Sequence, residues 1–196
     1  MIVATDPYRT RMARIAIDID STLHHYWDLF SRIVRERHGI ELPYERQRTW
    51  GVAELERDEL VDVVRESHSE DNILAADPYP GAVETVQAWR EEGHWIHITS
   101  HRAVTTQVST ERWLTEIGLP YDDLHCSWDK VTRCTELEID LLVDDSPVNI
   151  ERALEAGIAC ATLRHPWNEE LEGTDGVILA DDWTGLRTAV APLLGG

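Results

Sequence analysis

Two aspartates one residue apart, Asp18 and Asp20, end the apolar run Arg14-Ile15-Ala16-Ile17 and are followed by the hydroxyl residues Ser21 and Thr22. A second acidic pair, Asp144-Asp145, ends the run Ile139-Asp140-Leu141-Leu142-Val143. Between them lie the hydroxyl pair Thr99-Ser100 and Lys130, the only lysine among 196 residues. Carboxylates with no accompanying cluster of histidine or cysteine ligands suit a hard divalent cation. Magnesium is the first choice, because it needs few protein oxygens and leaves room for water and a phosphate oxygen. A lysine and a hydroxyl beside such a site answer the needs of a phosphoryl group: one offsets charge, the other donates a hydrogen bond. The remaining carboxylates can then act as nucleophile and general acid. These residue types would support phosphoryl transfer through an aspartyl-phosphate.

Residues so far apart in sequence meet only if the fold brings them together. The run ending at Asp18 is short and β-branched, as expected of a strand buried on both faces of a parallel sheet. Further strands are expected at 94–99, 123–127, 139–143 and 158–163, with an edge strand at 176–180. Helical spacing appears at 26–38, closed by Gly39, and again at 82–92, 103–117, 147–156 and 183–194. Trp128-Asp129-Lys130 is expected to be a loop. Alternating strands and helices of this length predict an α/β fold, a doubly wound, Rossmann-like parallel sheet. Parallel strands end on one edge, where open α/β sheets bind ligands, so all four motifs can converge there. From 41 to 76 the chain is charged and shows no clear strand, which predicts a small helical cap inserted after the first strand. The expected organisation is a flexible leader at 1–13, an α/β core at 14–40 and 77–196, and the cap between.

Composition narrows the partners. A formal net charge of −19 argues against nucleic-acid polymers and anionic membranes, and makes any phosphate site a local exception in the field. No apolar run approaches membrane-spanning length. Three cysteines, Cys126, Cys134 and Cys160, show no Cys-x-x-Cys spacing, so a reducing, cytoplasmic setting is expected in place of a disulfide framework. The histidines His24, His25, His97, His101 and His125 match no zinc spacing, and His97, alternating with Ile96 and Ile98, is expected to be a packed strand residue.

Each motif also has a plain reading. Asp144-Asp145 before Ser146-Pro147 would cap the following helix whatever its function. Thr99 and Ser100 would serve as ordinary strand-exit residues. Arg48 and Arg102 are candidate phosphate or substrate contacts, but by default they fall to a solvated face, because arginines are numerous here.

Taken together, the order Asp18-x-Asp20-x-Thr22, Thr99, Lys130, Asp144-Asp145 resembles the haloacid dehalogenase superfamily of phosphohydrolases. The resemblance implies that Asp18 is nucleophile and metal ligand, and that Asp20 is general acid and base with its backbone carbonyl on the metal. It implies that Thr99, with Ser100 beside it, and Lys130 bind phosphate, and that Asp144 and Asp145 complete a magnesium site. The helical insertion, Thr99-Ser100, Trp128-Asp129-Lys130, Leu142 to Pro147 and Pro166-Trp167-Asn168 are similar to the 5′(3′)-deoxyribonucleotidase family. That narrower resemblance implies that Tyr26 stacks on a substrate base, with Trp50 of the cap as the second wall. His24-His25 beside Tyr26 departs from the family pattern.

The expected function is a magnesium-dependent phosphomonoesterase acting on a small phosphorylated substrate, a nucleoside monophosphate first. A phosphatase for sugar phosphates or another small metabolite is the alternative within enzymes. A phosphate-binding module without turnover is the alternative outside them.

Overall fold

The structure is a computed structural model, described here for residues 12–49, 52–127 and 129–195. Trp50, expected in the cap, and most of the expected leader lie outside the described residues.

Six strands form one parallel sheet in the order β3-β2-β1-β4-β5-β6. In chain order they are β1 (Arg14–Ile17), β2 (Trp95–Ser100), β3 (Asp123–Cys126), β4 (Leu141–Val143), β5 (Ala159–Leu163) and β6 (Val177–Ala180). The order reverses between β1 and β4, the switch point at which doubly wound sheets open a crevice. The helices are α1 (Tyr26–His38), α2 (Arg57–Ser67), α3 (Glu70–Leu74), α4 (Ala82–Glu91), α5 (Gln107–Glu116), α6 (Lys130–Glu136), α7 (Pro147–Glu155) and α8 (Trp183–Leu194).

Alternation along the strands sorts the core into two layers. Ile15, Ile17, Ile96 and Ile98 face Val86 and Trp89 of α4, Trp113 and Leu114 of α5, and Trp183, Leu186 and Val190 of α8. Ala16 and Leu142 face Val131 and Cys134 of α6 and Ile150 and Ala153 of α7. His97 is fully buried on this second side, as its alternation predicts.

Helix α1 ends at Gly39, whose φ of 68° accommodates the left-handed turn that stops it. The segment after it holds a 3₁₀ turn at Tyr44–Arg46, then α2 and α3, a helical insertion after the first strand. Glu56 and Glu59 form a reciprocal capping box that starts α2. The apolar side of α1 (Trp27, Phe30, Ile33, Val34) packs with Leu42, Val52, Leu55 and Val63 of the insertion and with Trp167, apart from both sheet layers. Among the described residues, no helix is long and apolar enough to cross a membrane.

Lys130 differs from expectation. It is the first residue of α6, not part of a loop. With only Val131 and Cys134 of this seven-residue helix buried beside it, the apolar pattern is too short to show a helical period.

Candidate active site

The first strand delivers Asp18 to the switch point. The ladder continues one step beyond the strands: Asp18 N–H donates to Val143 O at 2.8 Å, and Asp144 N–H to Ala161 O at 3.1 Å. The backbone thus fixes both acidic motifs side by side. The register Ile17↔Ile98 sets Asp18 abreast of Thr99 on the α6 side of the sheet.

Lys130, buried at 2% exposure, reaches between the motifs from the start of α6. Its Nζ donates to Asp18 Oδ1 at 2.6 Å and to Asp144 Oδ2 at 2.8 Å. Asp144 is further held by Ser146 N–H at 2.9 Å and by Asn149 Nδ2 at 3.1 and 3.2 Å. Asp145 Oδ2 accepts from Trp167 Nε1 at 3.0 Å. One carboxylate oxygen from each of Asp18, Asp144 and Asp145 lies within 4.8 Å of the others. Among the described residues, this is the one group of three or more acids, histidines or cysteines so arranged.

The electrostatics of this cluster are compatible with a further cation. Burial pushes Asp18 up to about 7, against the pull of Lys130 and with added repulsion from Asp144 and Asp20. Burial disfavours the Lys130 ammonium too, but Asp144 and Asp18 outweigh it and raise its pKa above the ordinary lysine value. Three buried carboxylates stand around one ammonium that bridges two of them, and the donors are all hard oxygens. The residues present therefore fit a small divalent cation such as magnesium.

Asp20 has different company. Arg102 clamps it, with Nη2 at 2.7 Å from Oδ1 and Nε at 3.2 Å from Oδ2. His24 Nε2 is 3.0 Å from Oδ1, and His68 Nε2 of the insertion is 3.3 Å from Oδ2. Burial alone would raise the pKa of Asp20, but Arg102, His68 and the hydrogen bond from His24 hold it well below the usual carboxylate range. Arg102 is itself 2% exposed, donates to Thr110 Oγ1 at 3.3 Å and lies over the Trp113 ring. The solvated-face expectation for Arg102 is thus wrong, whereas Arg48 is exposed as expected and donates to the local backbone carbonyls of Glu45 and Gln47. Nothing in the sequence marks Arg102 beyond its place at the exit of β2, on the edge where every motif ends.

Thr99 Oγ1 is fully buried and has no hydrogen-bond partner, which leaves a donor facing the side of the sheet that carries Asp18. Ser100 turns to the other side. Its Oγ lies 3.5 Å from Asp20 Oδ2 and accepts from Arg102 N–H at 3.2 Å. Between the two aspartates and the insertion opens a cavity of about 290 Å³. Asp18, Asp20, Lys130 and Asp145 form its floor, and Tyr26, Phe30, Leu60 and Val64 its apolar wall, with His68 and His101 at its polar margin. Tyr26 lines this wall, is buried in the α1 cluster, and hydrogen-bonds Ser67 through its hydroxyl at 2.6 Å.

Sequence reasoning missed His68 and Asn149, and it named Arg102 and Trp167 without their bonds to Asp20 and Asp145. It singled out His24 without a role; the structure sets it against Asp20.

Comparisons with known proteins bear on the fold. No family model matches the chain. A Bacillus cereus protein described as "Putative nucleotidase" is 23% identical over 175 residues, covering 81% of this chain and 89% of the relative. A Streptococcus pneumoniae hydrolase described as haloacid dehalogenase-like superimposes with a TM-score of 0.66 at 14% identity, over 92% of this chain and 97% of that one. CbbY from Rhodobacter sphaeroides, solved with xylulose-1,5-bisphosphate, gives 0.59 at 18% identity, over 89% of this chain and 99% of that one. The chain has the haloacid dehalogenase-like hydrolase fold.

Proposed function

We propose that this chain hydrolyses phosphate monoesters with a magnesium ion, through an aspartyl-phosphate on Asp18, and that its substrates are nucleoside 5′-monophosphates, deoxy forms included. The observation that carries the reading is the Lys130 ammonium bridging Asp18 and Asp144, with Asp145 in ligand range, at the switch point of a parallel sheet. Structural ion pairs are seldom so fully buried, because taking the charges out of water costs more than the pair returns.

Asp18, Asp144 and Asp145 would hold the metal, with the backbone carbonyl of Asp20. Bound there, magnesium would polarise a phosphoryl oxygen and offset charge on the group being transferred. Asp18 attacks phosphorus while Lys130 fixes the direction of its carboxylate. The unpartnered Thr99 hydroxyl donates to a phosphoryl oxygen. Asp20 protonates the departing alcohol, then takes a proton from the water that cleaves the aspartyl-phosphate. In the first step it must carry a proton against the pull of Arg102. In the second it already has the form required.

The cavity wall supports a leaving group with a flat apolar face. Tyr26, Phe30, Leu60 and Val64 offer surface to a base, and among the described residues Lys130 is the one lysine or arginine lining the cavity, so a second phosphate finds no further cation among them. The relative described as a nucleotidase supports the same choice. The residues from 41 to 76, together with α1, act as the cap over this site. A sugar phosphate is the second reading, supported by the CbbY complex and by His68, His101 and Asn149, which can bond hydroxyls.

A panel of nucleoside monophosphates, sugar phosphates and p-nitrophenyl phosphate, assayed for phosphate release with magnesium and with EDTA, tests the proposal. Nucleotides should be turned over fastest, and EDTA should stop all turnover. Preference for sugar phosphates would select the second reading. No turnover of any ester would leave only a binding module.

A further inference from the structure

The loop after β5, His165-Pro166-Trp167-Asn168, has no part in the chemistry above, yet it touches both acidic motifs. His165, Trp167 and Asn168 are all buried. Asn168 closes the loop, accepting from His165 N–H at 2.8 Å, and donates to the Asp145 carbonyl at 3.2 Å. Trp167 Nε1 donates to the Asp145 carboxylate at 3.0 Å. His165 Nε2 lies 2.8 Å from the carbonyl oxygen of Ser21, the residue after Asp20. The two rings stack with centroids 4.6 Å apart and planes 1° from parallel.

A carbonyl oxygen only accepts, so His165 carries its proton on Nε2 and offers Nδ1 as an acceptor. Tyr44 of the insertion fills it, with its hydroxyl 2.7 Å away. Hydrogen bonds therefore run one way, from Tyr44 to His165 to Ser21. Ser21 needs such support, because its φ of 63° lies in the left-handed region that non-glycine residues occupy at a cost. Two stacked rings hold the Asp20–Thr22 turn with one and the Asp145 carboxylate with the other, and so set the distance between them.

We propose that His165 and Trp167 are positioning residues that fix the geometry of the magnesium site, and that Tyr44 ties the placement of the insertion to that geometry. This rests on the reading that Asp18 and Asp145 hold the metal. Partners that orient metal ligands typically matter ten- to a hundredfold in metal affinity.

The test is magnesium binding by titration calorimetry on the full chain, free of substrate, beside thermal melting in EDTA. Trp167→Phe keeps the stacked ring and loses the N–H. It should bind magnesium roughly tenfold or more weakly while its melting temperature in EDTA stays within a few degrees of the unmodified chain. His165→Phe should weaken binding similarly, and His165→Gln, whose amide can still donate to Ser21, should recover part of the loss. Tyr44→Phe should cost roughly two- to tenfold. Unchanged magnesium binding in Trp167→Phe and His165→Phe would overturn the inference and leave the proposed function standing. So would a loss that tracks melting temperature alone, with His165→Gln no better than His165→Phe. If the unmodified chain binds no magnesium, the proposed function falls, and this inference with it.

Discussion

Asp18 and Asp20 are two residues apart, and their surroundings are opposite. Asp18 stands among carboxylates with a single lysine, and burial pushes it up to about 7. Asp20 stands beside one guanidinium and two imidazoles, those of Arg102, His24 and His68, and is held well below the usual carboxylate range. The division follows from the sheet. Asp18 faces the side of α6 and β4, which bring Lys130 and the acidic pair, whereas Asp20 meets the exit loop of β2 and the insertion. One half of the site has three carboxylates to a single ammonium, which suits the proposed metal and phosphoryl group. In the other, a guanidinium and two imidazoles stabilise the carboxylate, as suits a group that must be ionised between the two steps of each cycle.

The largest effect should come from the half short of cations. Asp18→Asn removes the nucleophile and should lower turnover by about three orders of magnitude or more. It also removes a poorly compensated buried charge at nearly constant volume, so the urea midpoint in EDTA should hold or rise. Turnover near that of the unmodified chain would break the comparison at its base. A large fall in stability would show that Asp18 is a structural anion.

The other half should respond in the opposite sense. Arg102→Gln strips Asp20 of its one permanent cation and should cost about 3 kcal/mol, the scale for a buried charge that loses its partner. Turnover should fall roughly ten- to a hundredfold, through kcat more than KM, because Arg102 does not line the cavity. Adding Asp20→Asn to that variant should restore most of the stability and none of the turnover, which a double-mutant cycle reads directly. Full stability of Arg102→Gln alone would mean that the imidazoles suffice.

Much of this was legible in the sequence. Strand and helix periodicity located all six strands and most helices, and the strand-end rule placed Asp18, Thr99 and Asp144 on one edge. What escaped depends on contacts between distant residues. Arg102 looks like any other arginine until α5 closes over it, with Thr110 and Trp113 as neighbours. His68 meets Asp20 only because the insertion folds back over the sheet edge. Trp167 was seen as part of a motif, but its bond to Asp145 depends on how the loop after β5 turns. Helix α6 escaped because so short an element shows no period, although its first residue was already singled out.

The smallest expected effect tests whether charge is tolerated only where the chemistry needs it. His97 is fully buried on the face it shares with Trp95, with its ring stacked on the indole and Nδ1 3.1 Å from Asp123 Oδ2. Burial lowers its pKa to about 4; Asp123 pulls it upward, while His125 and Arg133 reinforce the fall. The fold thus keeps His97 neutral, the opposite of its treatment of Asp20. In the unfolded chain this histidine titrates near the ordinary value of about 6.5. Above that pH neither state binds the proton and the group adds no pH dependence. Between about 6.5 and 4 the unfolded chain binds it and the native chain does not, so stability falls as pH falls, by at most about 1.4 kcal/mol per pH unit. His97→Phe keeps a ring against Trp95 and removes the titration. Any cost of fitting the larger ring shifts stability equally at every pH. The difference in stability between the two chains, from urea unfolding at pH 7.5, 6 and 5, should therefore move in favour of the variant as pH drops. A constant difference would show that His97 takes up its proton in the native chain at the same pH as in the unfolded one, and a shift towards the unmodified chain that Asp123 holds it as a cation; either would mean that buried charge here extends beyond the site.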